Sequence, residues 1–261
     1  MDSSIKLWST ADWSHVATFA GHTHSVNSLA LSPDEKLLAS SSSDQTLRLW
    51  SFPEGRLLHT LQDRKQTVVG VTFSPDGEWI AAASYGGRVA VWTRAGEPVV
   101  GIRATKKNLT AVAIMPDGAT LATSGLGDEI SLWALPSGEP VGVLTGHKIA
   151  VGTLLLVDDG RTLVSLGYEQ TVKFWDVNTW TETRSCPAEG EKVRGLLFSR
   201  DGTLAALSME SRVELRNVAD WAIVAELPVS TKVISSMAIS ADGQRLAIGG
   251  ADRKIRIWEL A

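Results

Sequence analysis

Short runs in which every second residue is apolar recur along this chain, and one of them returns seven times with a nearly constant ending. The copies are Ile5-Lys6-Leu7-Trp8, Leu47-Arg48-Leu49-Trp50, Val89-Ala90-Val91-Trp92, Ile130-Ser131-Leu132-Trp133, Val172-Lys173-Phe174-Trp175, Val213-Glu214-Leu215-Arg216 and Ile255-Arg256-Ile257-Trp258. Strict alternation over four to eight residues is the signature of a β-strand. The closing positions stand 42, 42, 41, 42, 41 and 42 residues apart. So regular an interval means stacked copies of one supersecondary unit.

The stretch from His24 to Leu61 predicts what one unit contains. Val26-Asn27-Ser28-Leu29-Ala30-Leu31 alternates as a first strand, and Ser32-Pro33-Asp34-Glu35 supplies a turn in which proline holds φ near its turn value. Lys36 to Ser41 reads as a second strand, Ser43-Asp44-Gln45 as a tight turn, and Leu47 to Trp50 as a third. After Phe52-Pro53-Glu54-Gly55, the run Arg56 to Leu61 makes a fourth and outermost strand. Later copies keep the punctuation in Ser74-Pro75-Asp76-Gly77, Met115-Pro116-Asp117-Gly118, Val157-Asp158-Asp159-Gly160, Ser199-Arg200-Asp201-Gly202 and Ser240-Ala241-Asp242-Gly243. Glycine after aspartate suits a turn that needs positive φ. No helix-period segment of useful length interrupts the pattern, so the expected fold is all-β: four-stranded antiparallel units at a period in the low forties, the arrangement of a β-propeller.

Composition narrows the setting. The chain has 261 residues and a formal charge of -4, so the molecule as a whole is not an electrostatic footprint for nucleic acid. The single cysteine, Cys186, has no partner for an internal disulfide, which fits a reducing compartment. Neither a signal peptide nor an apolar run long enough for a membrane span is evident, and a cytoplasmic location is expected. The unbroken repeat favours a single domain over residues 1–261. The five histidines, His15, His22, His24, His59 and His147, do not cluster with other metal ligands. The serine run Ser40 to Ser43 beside Asp44 is explained by a strand and turn, and no nucleophile elbow, phosphate loop or zinc-protease helix is present. No catalytic residue, metal or cofactor is called for, and the chain is not expected to be an enzyme.

The combination of Gly21-His22 and Gly146-His147 before first strands, the Ser-Pro-Asp-Gly turns, the periodic tryptophan and one literal Trp175-Asp176 pair resembles the WD-repeat (WD40) β-propeller family over essentially the whole chain. The resemblance implies a scaffold or regulatory module that holds protein partners. It also implies a structural tetrad of His, Ser/Thr, Asp and Trp in each blade, matched in full by His22, Ser40, Asp44 and Trp50. The match decays elsewhere: Glu169 replaces the aspartate in the copy with His147 and Ser165, Ile248 replaces the serine in the last copy, and Arg216 stands where a tryptophan is due.

Three further expectations concern surfaces and completeness. Arg64-Lys65, Lys106-Lys107, Lys148, Lys192 and Lys232 lie in the loops leading into five successive first strands. Repeats related by rotation place such loops on one face, so Lys65, Lys106, Lys107, Lys148, Lys192 and Lys232 form a candidate basic ring for an acidic or phosphorylated partner or a nucleic-acid backbone, partly offset by Asp63, Glu189 and Glu191. The lysines have no aromatic interleaving, which argues against single-stranded nucleic acid. Trp13, Trp180 and Trp221 each follow a closing position by five residues, at the start of outer strands, and are candidates either for interface side chains or for packing over the turn between third and fourth strands. The chain opens inside a third strand, with Asp2 at a tetrad-aspartate position. A seven-bladed ring would need about 292 residues at this period, about 31 more than are present. The expected form is a seven-bladed propeller lacking one outer strand and the first two strands of its opening blade, with a closed six-bladed ring as the alternative.

Overall fold

A computed structural model of the chain describes residues 3–63, 65–188, 192–210, 212–229, 233–240 and 242–260. The described elements are β-strands plus one 3-10 turn at Asp158–Gly160. The chain divides into two compact units, residues 1–154 and 155–261, each of which is treated by itself.

In residues 1–154, β1 (Ile5–Trp8) and β2 (His15–Phe19) pair in a two-stranded antiparallel sheet, with Ile5 opposite Phe19. Three four-stranded meanders follow. The first is β3 (Val26–Leu31), β4 (Leu37–Ser42), β5 (Leu47–Ser51) and β6 (Leu57–Leu61). The second is β7 (Val68–Phe73), β8 (Trp79–Ser84), β9 (Arg88–Thr93) and β10 (Pro98–Arg103), and the third β11 (Leu109–Ile114), β12 (Thr120–Gly125), β13 (Ile130–Ala134) and β14 (Pro140–Leu144). The unit boundary falls within β15 (Val151–Val157), which forms a sheet with β16 (Thr162–Gly167), β17 (Thr171–Asp176) and β18 (Thr181–Pro187). In residues 155–261 there follow β19 (Gly195–Phe198), β20 (Leu204–Ser208), β21 (Arg212–Asn217) and β22 (Ile223–Pro228), then a three-stranded sheet of β23 (Ile234–Ile239), β24 (Arg245–Gly250) and β25 (Ile255–Glu259).

Burial of both faces explains why the inner strands read as apolar runs. Ile80 and Ala82 of β8 pack with Ala39, Leu47 and Leu49 of the preceding sheet. Ala81 and Ala83, pointing the other way, pack with Leu109, Val112 and Ile114 of the following one. Alternate side chains thus serve two different cores, and alanine at consecutive positions lets three sheets approach closely. Residues 155–261 repeat the arrangement: Phe174 and Val172 pack with Leu196, Ala205 and Leu207, while Ala206, Val213 and Leu215 pack with Ile234, Leu246 and Ile248. At roughly 25 cal/mol per Å² of apolar surface removed from water, this double burial is the main source of cohesion.

The turns are pinned by one recurrent device. The Ser74 hydroxyl donates to Asp76 and accepts the Trp79 backbone N–H at 2.9 Å, and Ser32, Ser199 and Ser240 make the same pair of bonds with their own aspartates and strand starts. Val157 stands at the serine position of one copy, and there the chain turns through a 3-10 segment with Asp158 and Asp159 at positive φ (54° and 49°). Neighbouring sheets of residues 1–154 are also tied by polar contacts: Asn27 Nδ2 donates to the Val68 carbonyl at 2.8 Å, and Thr110 Oγ1 donates to the Val151 carbonyl at 2.6 Å, between corresponding positions of successive first strands.

One strand face stands out. Leu29 and Leu31 of β3 are 48% and 41% exposed, whereas Val71 and Phe73, one period later in β7, are each 8% exposed. The sheet before β7 has four strands, and its inner strands cover Val71 and Phe73. The sheet before β3 has only β1 and β2, whose Ile5 and Phe19 pack against Leu38 and Trp50 and leave Leu29 and Leu31 bare.

A second tie between sheets is electrostatic. Arg94 Nη2 lies 2.6 Å from Asp34 Oδ2, joining the turn after β3 to the turn after β9. This guanidinium, helped by the Ser32 hydroxyl, lowers the Asp34 pKa to about 2. A carboxyl depressed in the folded state stabilises fully above its unfolded value near 3.8, and that contribution is lost as pH falls through about 2. Thermal melts of the parent chain and Asp34→Asn should therefore differ most at neutral pH and converge as the pH is lowered from about 4 toward 2; a pH-independent difference would show that the pair contributes nothing through charge.

Candidate functional site

At the sheet β3–β6 four polar side chains, one each from the loop before β3, β4, the β4–β5 turn and β5, form one hydrogen-bonded chain. Trp50 on β5 donates its Nε1–H to Ser40 Oγ on β4 at 2.8 Å. Ser40 and His22 Nε2 are 2.7 Å apart, and His22 Nδ1 lies 2.7 Å from Asp44 Oδ2. The indole can only donate, so the Ser40 proton must go to Nε2, and the imidazole must carry its own proton on Nδ1 for Asp44. Burial lowers the His22 pKa against the opposing effect of Asp44, which favours this neutral tautomer. Burial alone would raise the Asp44 pKa, but bonds from the Thr46 hydroxyl, His22 and the Thr23 and Thr46 backbone N–H groups hold its carboxyl well below the usual range. Every polar atom in the chain is directed at another of its members or at the turn. The arrangement clamps the loop before β3 to the β4–β5 turn and leaves no group free for chemistry.

The other sheets depart from this arrangement in different ways. Trp175 keeps its bond to Ser165 at 2.8 Å, and Trp133 donates to Thr123 Oγ1 at 2.9 Å. Trp258 faces Ile248 instead of a hydroxyl, and its buried Nε1 has no partner among the described residues. In the sheet β19–β22 the tryptophan position holds Arg216, which sequence reading registers only as a loss. The structure puts a buried ion cluster there. Arg216 Nη2 and Nε lie 2.7 and 3.0 Å from Glu214 Oε2, Arg212 Nη2 lies 2.8 Å from Glu214 Oε1, and Glu214 is 1% exposed. Residues two apart on a strand share a face, so the Glu214/Arg216 spacing was the available signal. The Arg216 guanidinium also sits 5.7 Å from the ring centre of Trp221, whose Nε1 donates to the Pro187 carbonyl at 3.2 Å.

The three tryptophans lie in the turns immediately before the outer strands. Trp13, Trp180 and Trp221 have φ of 59°, 56° and 65°, the left-handed conformation that Gly55 and Gly138 adopt at the same position (75° each). Outer strands begin after them, at His15, Thr181 and Ile223. Trp221 is buried, whereas Trp13 is exposed. A bulky residue at positive φ is costly, and Trp221 recovers that cost in packing against Phe174 and the two arginines Arg184 and Arg216.

Lys65, Lys106, Lys107, Lys148 and Lys192 are exposed, and none makes an ion pair among the described residues. Lys192 Nζ lies 5.9 Å from the ring centre of Tyr168. Asp63, expected to offset the lysines, is taken instead by Arg88 at 2.8 Å. Lys232, Glu189 and Glu191 lie outside the described residues, as does Asp2. Within residues 1–154, Lys65, Lys106, Lys107 and Lys148 precede β7, β11 and β15 at corresponding points of successive repeats. Among the described residues no group of three or more His, Cys, Asp or Glu side chains is placed to hold a metal ion.

The repeated geometry has a counterpart among known families. The family described as WD domain, G-beta repeat matches residues 13–51, 55–93, 138–176 and 221–259, more than half of the chain, and the protein belongs to this WD40 family of β-propeller repeats. A search of curated proteins gave no match. Each matched segment is out of phase with the sheets. Residues 13–51 comprise outer strand β2 followed by β3, β4 and β5, so one sequence repeat supplies the edge of one sheet and the three inner strands of the next.

Two substitutions test how these polar clusters contribute. Ser40→Ala leaves the Trp50 N–H and His22 Nε2 without partners, and equilibrium denaturation should show a loss of about 1–3 kcal/mol. Glu214→Ala leaves Arg216 buried without its counter-charge and should cost about 3–5 kcal/mol, more than Glu214→Ala made in an Arg216→Leu background; equal losses in the two backgrounds would mean that the pair is not coupled.

Proposed function

We propose that this protein is a non-catalytic protein-interaction module that engages acidic or phosphorylated segments of its partners. The observation that carries this reading is the set of unpaired lysines before β7, β11 and β15. The net charge of the chain is -4, yet Lys65, Lys106, Lys107 and Lys148 recur at one point of the repeat with no internal ion pair among the described residues, and Asp63 is engaged elsewhere. Exposed, uncompensated cations of this kind raise the local concentration of negatively charged partners and steer their approach. Membership of the WD40 family supports the same reading, because its propellers hold protein partners. The polar tetrad supports it indirectly, since its ionisable groups are consumed by one another. A nucleic-acid backbone would satisfy the same charges, but stacking aromatics are missing from these loops.

The finer architecture belongs to the same proposal. The bare Leu29 and Leu31, set against the covered Val71 and Phe73, support a seven-bladed propeller in which β1 and β2 are the outer half of the opening blade and two further strands would lie over β3. We read residues 1–261 as one such propeller domain. The buried free thiol of Cys186 fits a cytoplasmic protein. No helix among the described residues is long and apolar enough to cross a membrane.

Partners retrieved on the immobilised protein and identified by mass spectrometry should be rich in acidic or phosphorylated segments. Replacement of Lys65, Lys106, Lys107 and Lys148 together by glutamate should weaken their binding about tenfold or more, chiefly through slower association. Retention of the same partners at unchanged affinity by the quadruple variant would rule out this surface.

A further inference from the structure

The sheet β11–β14 contains a cavity where the sheet β3–β6 has its imidazole. Both sheets share the floor of the site: Trp133 Nε1 donates to Thr123 Oγ1 as Trp50 does to Ser40, across ten residues in each case. Above this pair they diverge. The aspartate six residues before the tryptophan is Asp44 in one sheet and Gly127 in the other, and the loop before β11, Ala104-Thr105-Lys106-Lys107-Asn108, has no histidine. A third change enlarges the space. The residue two before the tryptophan is Arg48 in β5, whose guanidinium lies so close to Gly21 that a Cβ there would come within 2.3 Å of it; in β13 the residue is Ser131. The result is a cavity of about 250 Å³ lined by Lys107, Thr123, Gly127, Asp128, Glu129 and Ser131, among others. A Cβ added to Gly127 would meet nothing within 4 Å.

Loss of the tetrad does not by itself open such a space. The sheet β7–β10 has Ala82, Gly86 and Ala90 at the corresponding positions, yet its space is closed to about 20 Å³, with the Gln66 carboxamide packed against Gly86. The cavity in β11–β14 is both open and polar. At its floor Thr123 Oγ1 has accepted the indole N–H, and its own proton has only the Ser131 carbonyl, 3.5 Å away. That distance is well outside the ~2.5–3.0 Å of a sound O–H···O bond, so the floor offers a buried donor in need of an acceptor. At the rim, Asp128 and Glu129 are exposed carboxylates with no hydrogen bond or ion pair from their side chains among the described residues.

The geometry points to this cavity as a binding site for a neutral imidazole ring. Its unprotonated nitrogen would accept from Thr123 Oγ1, and its N–H would face the acidic rim, the same division of roles that His22 makes between Ser40 and Asp44. A carboxylate ligand could use the floor and Lys107 but would meet both Asp128 and Glu129, and a simple ammonium could use the rim but has no lone pair with which to accept the floor's proton. The ring is either a histidine side chain presented by a partner or a free small imidazole. Lys107, one of the lysines of the proposed partner surface, also lines this cavity, but the floor and rim contacts of the ring do not involve it.

The full-length chain, titrated at pH 8 with imidazole and separately with the blocked tripeptide acetyl-Gly-His-Gly-amide, provides the test, read from the Trp133 indole N–H resonance. Imidazole should bind with a dissociation constant in the millimolar range, and pyrrole, which has an N–H but no acceptor, should not. Lowering the pH from 8 to 5 protonates the ring and should weaken binding at least tenfold. Ser131→Arg, which copies the arginine of β5, should abolish binding by filling the cavity, and Thr123→Val should abolish it with the cavity intact, while Thr123→Ser preserves it. Binding of both probes assigns the site to a histidine side chain; binding of imidazole alone assigns it to a small free ligand. Absence of binding by the parent chain, equal binding of pyrrole, or tighter binding at pH 5 would overturn the proposal without recourse to the variants.

Discussion

Each sheet in this protein must bury two apolar faces at once, and the remaining features follow from that constraint. A strand such as β8, with Ile80, Ala81, Ala82 and Ala83 in succession, cannot be stable alone or with one neighbour. Its even and odd side chains belong to different cores, so a sheet is complete only when flanked on both sides. Hydrogen bonds along the strands satisfy the backbone within each sheet but do nothing to join sheets. That task falls to apolar contact and to a few ties such as Asn27 to Val68 and Arg94 to Asp34. The exposed Leu29 and Leu31 are the same constraint seen where a flanking sheet has only two strands.

Within this frame, one position of the repeat has been resolved in several chemically distinct ways. A buried indole N–H, or whatever replaces it, needs a partner in a low-dielectric setting. The sheet β3–β6 provides a four-member relay, the sheet β11–β14 keeps only the hydroxyl, and the sheet β23–β25 provides none. In β19–β22 the indole itself is gone, and an arginine is neutralised by Glu214 and stacked on Trp221. Such a buried pair is weak evidence for added stability, because desolvation offsets much of the attraction, but removing either partner is strongly unfavourable. Its effect is to tie β21 to the turn after it, the service the tetrad performs between a loop and a turn in β3–β6.

This diversification separates residues that hold the scaffold together from those available to a partner. The histidine and aspartate most suggestive of chemistry, His22 and Asp44, are locked in hydrogen bonds, whereas Lys65, Lys106, Lys107 and Lys148 are exposed and make no ion pair among the described residues. Divergence also leaves room: the groups missing from β11–β14 created a polar cavity, while comparable losses in β7–β10 were closed by Gln66 and apolar side chains. The repeat therefore fixes where such sites can arise, and the side chains of individual copies decide what they become.

Strand positions, turn chemistry and the number of strands per unit were legible from sequence, because each depends on short-range period and on residue types whose backbone demands are narrow; the members of the tetrad followed from the family resemblance. The strands β3 to β6 fall within a residue or two of where alternation placed them. Other features were settled only in three dimensions. The burial of the Glu214–Arg216–Arg212 cluster along β21, the contrasting burial of Trp13 and Trp221, and the pairing of Asp63 with Arg88 all depend on what packs over each side chain. So does the cavity above Thr123, which reflects the absence of three groups from separate segments. Period and propensity determined the strands, because these are properties of neighbours along the chain; burial, charge pairing and empty space were decided by the tertiary structure, because they depend on what packs against both faces of a sheet at once.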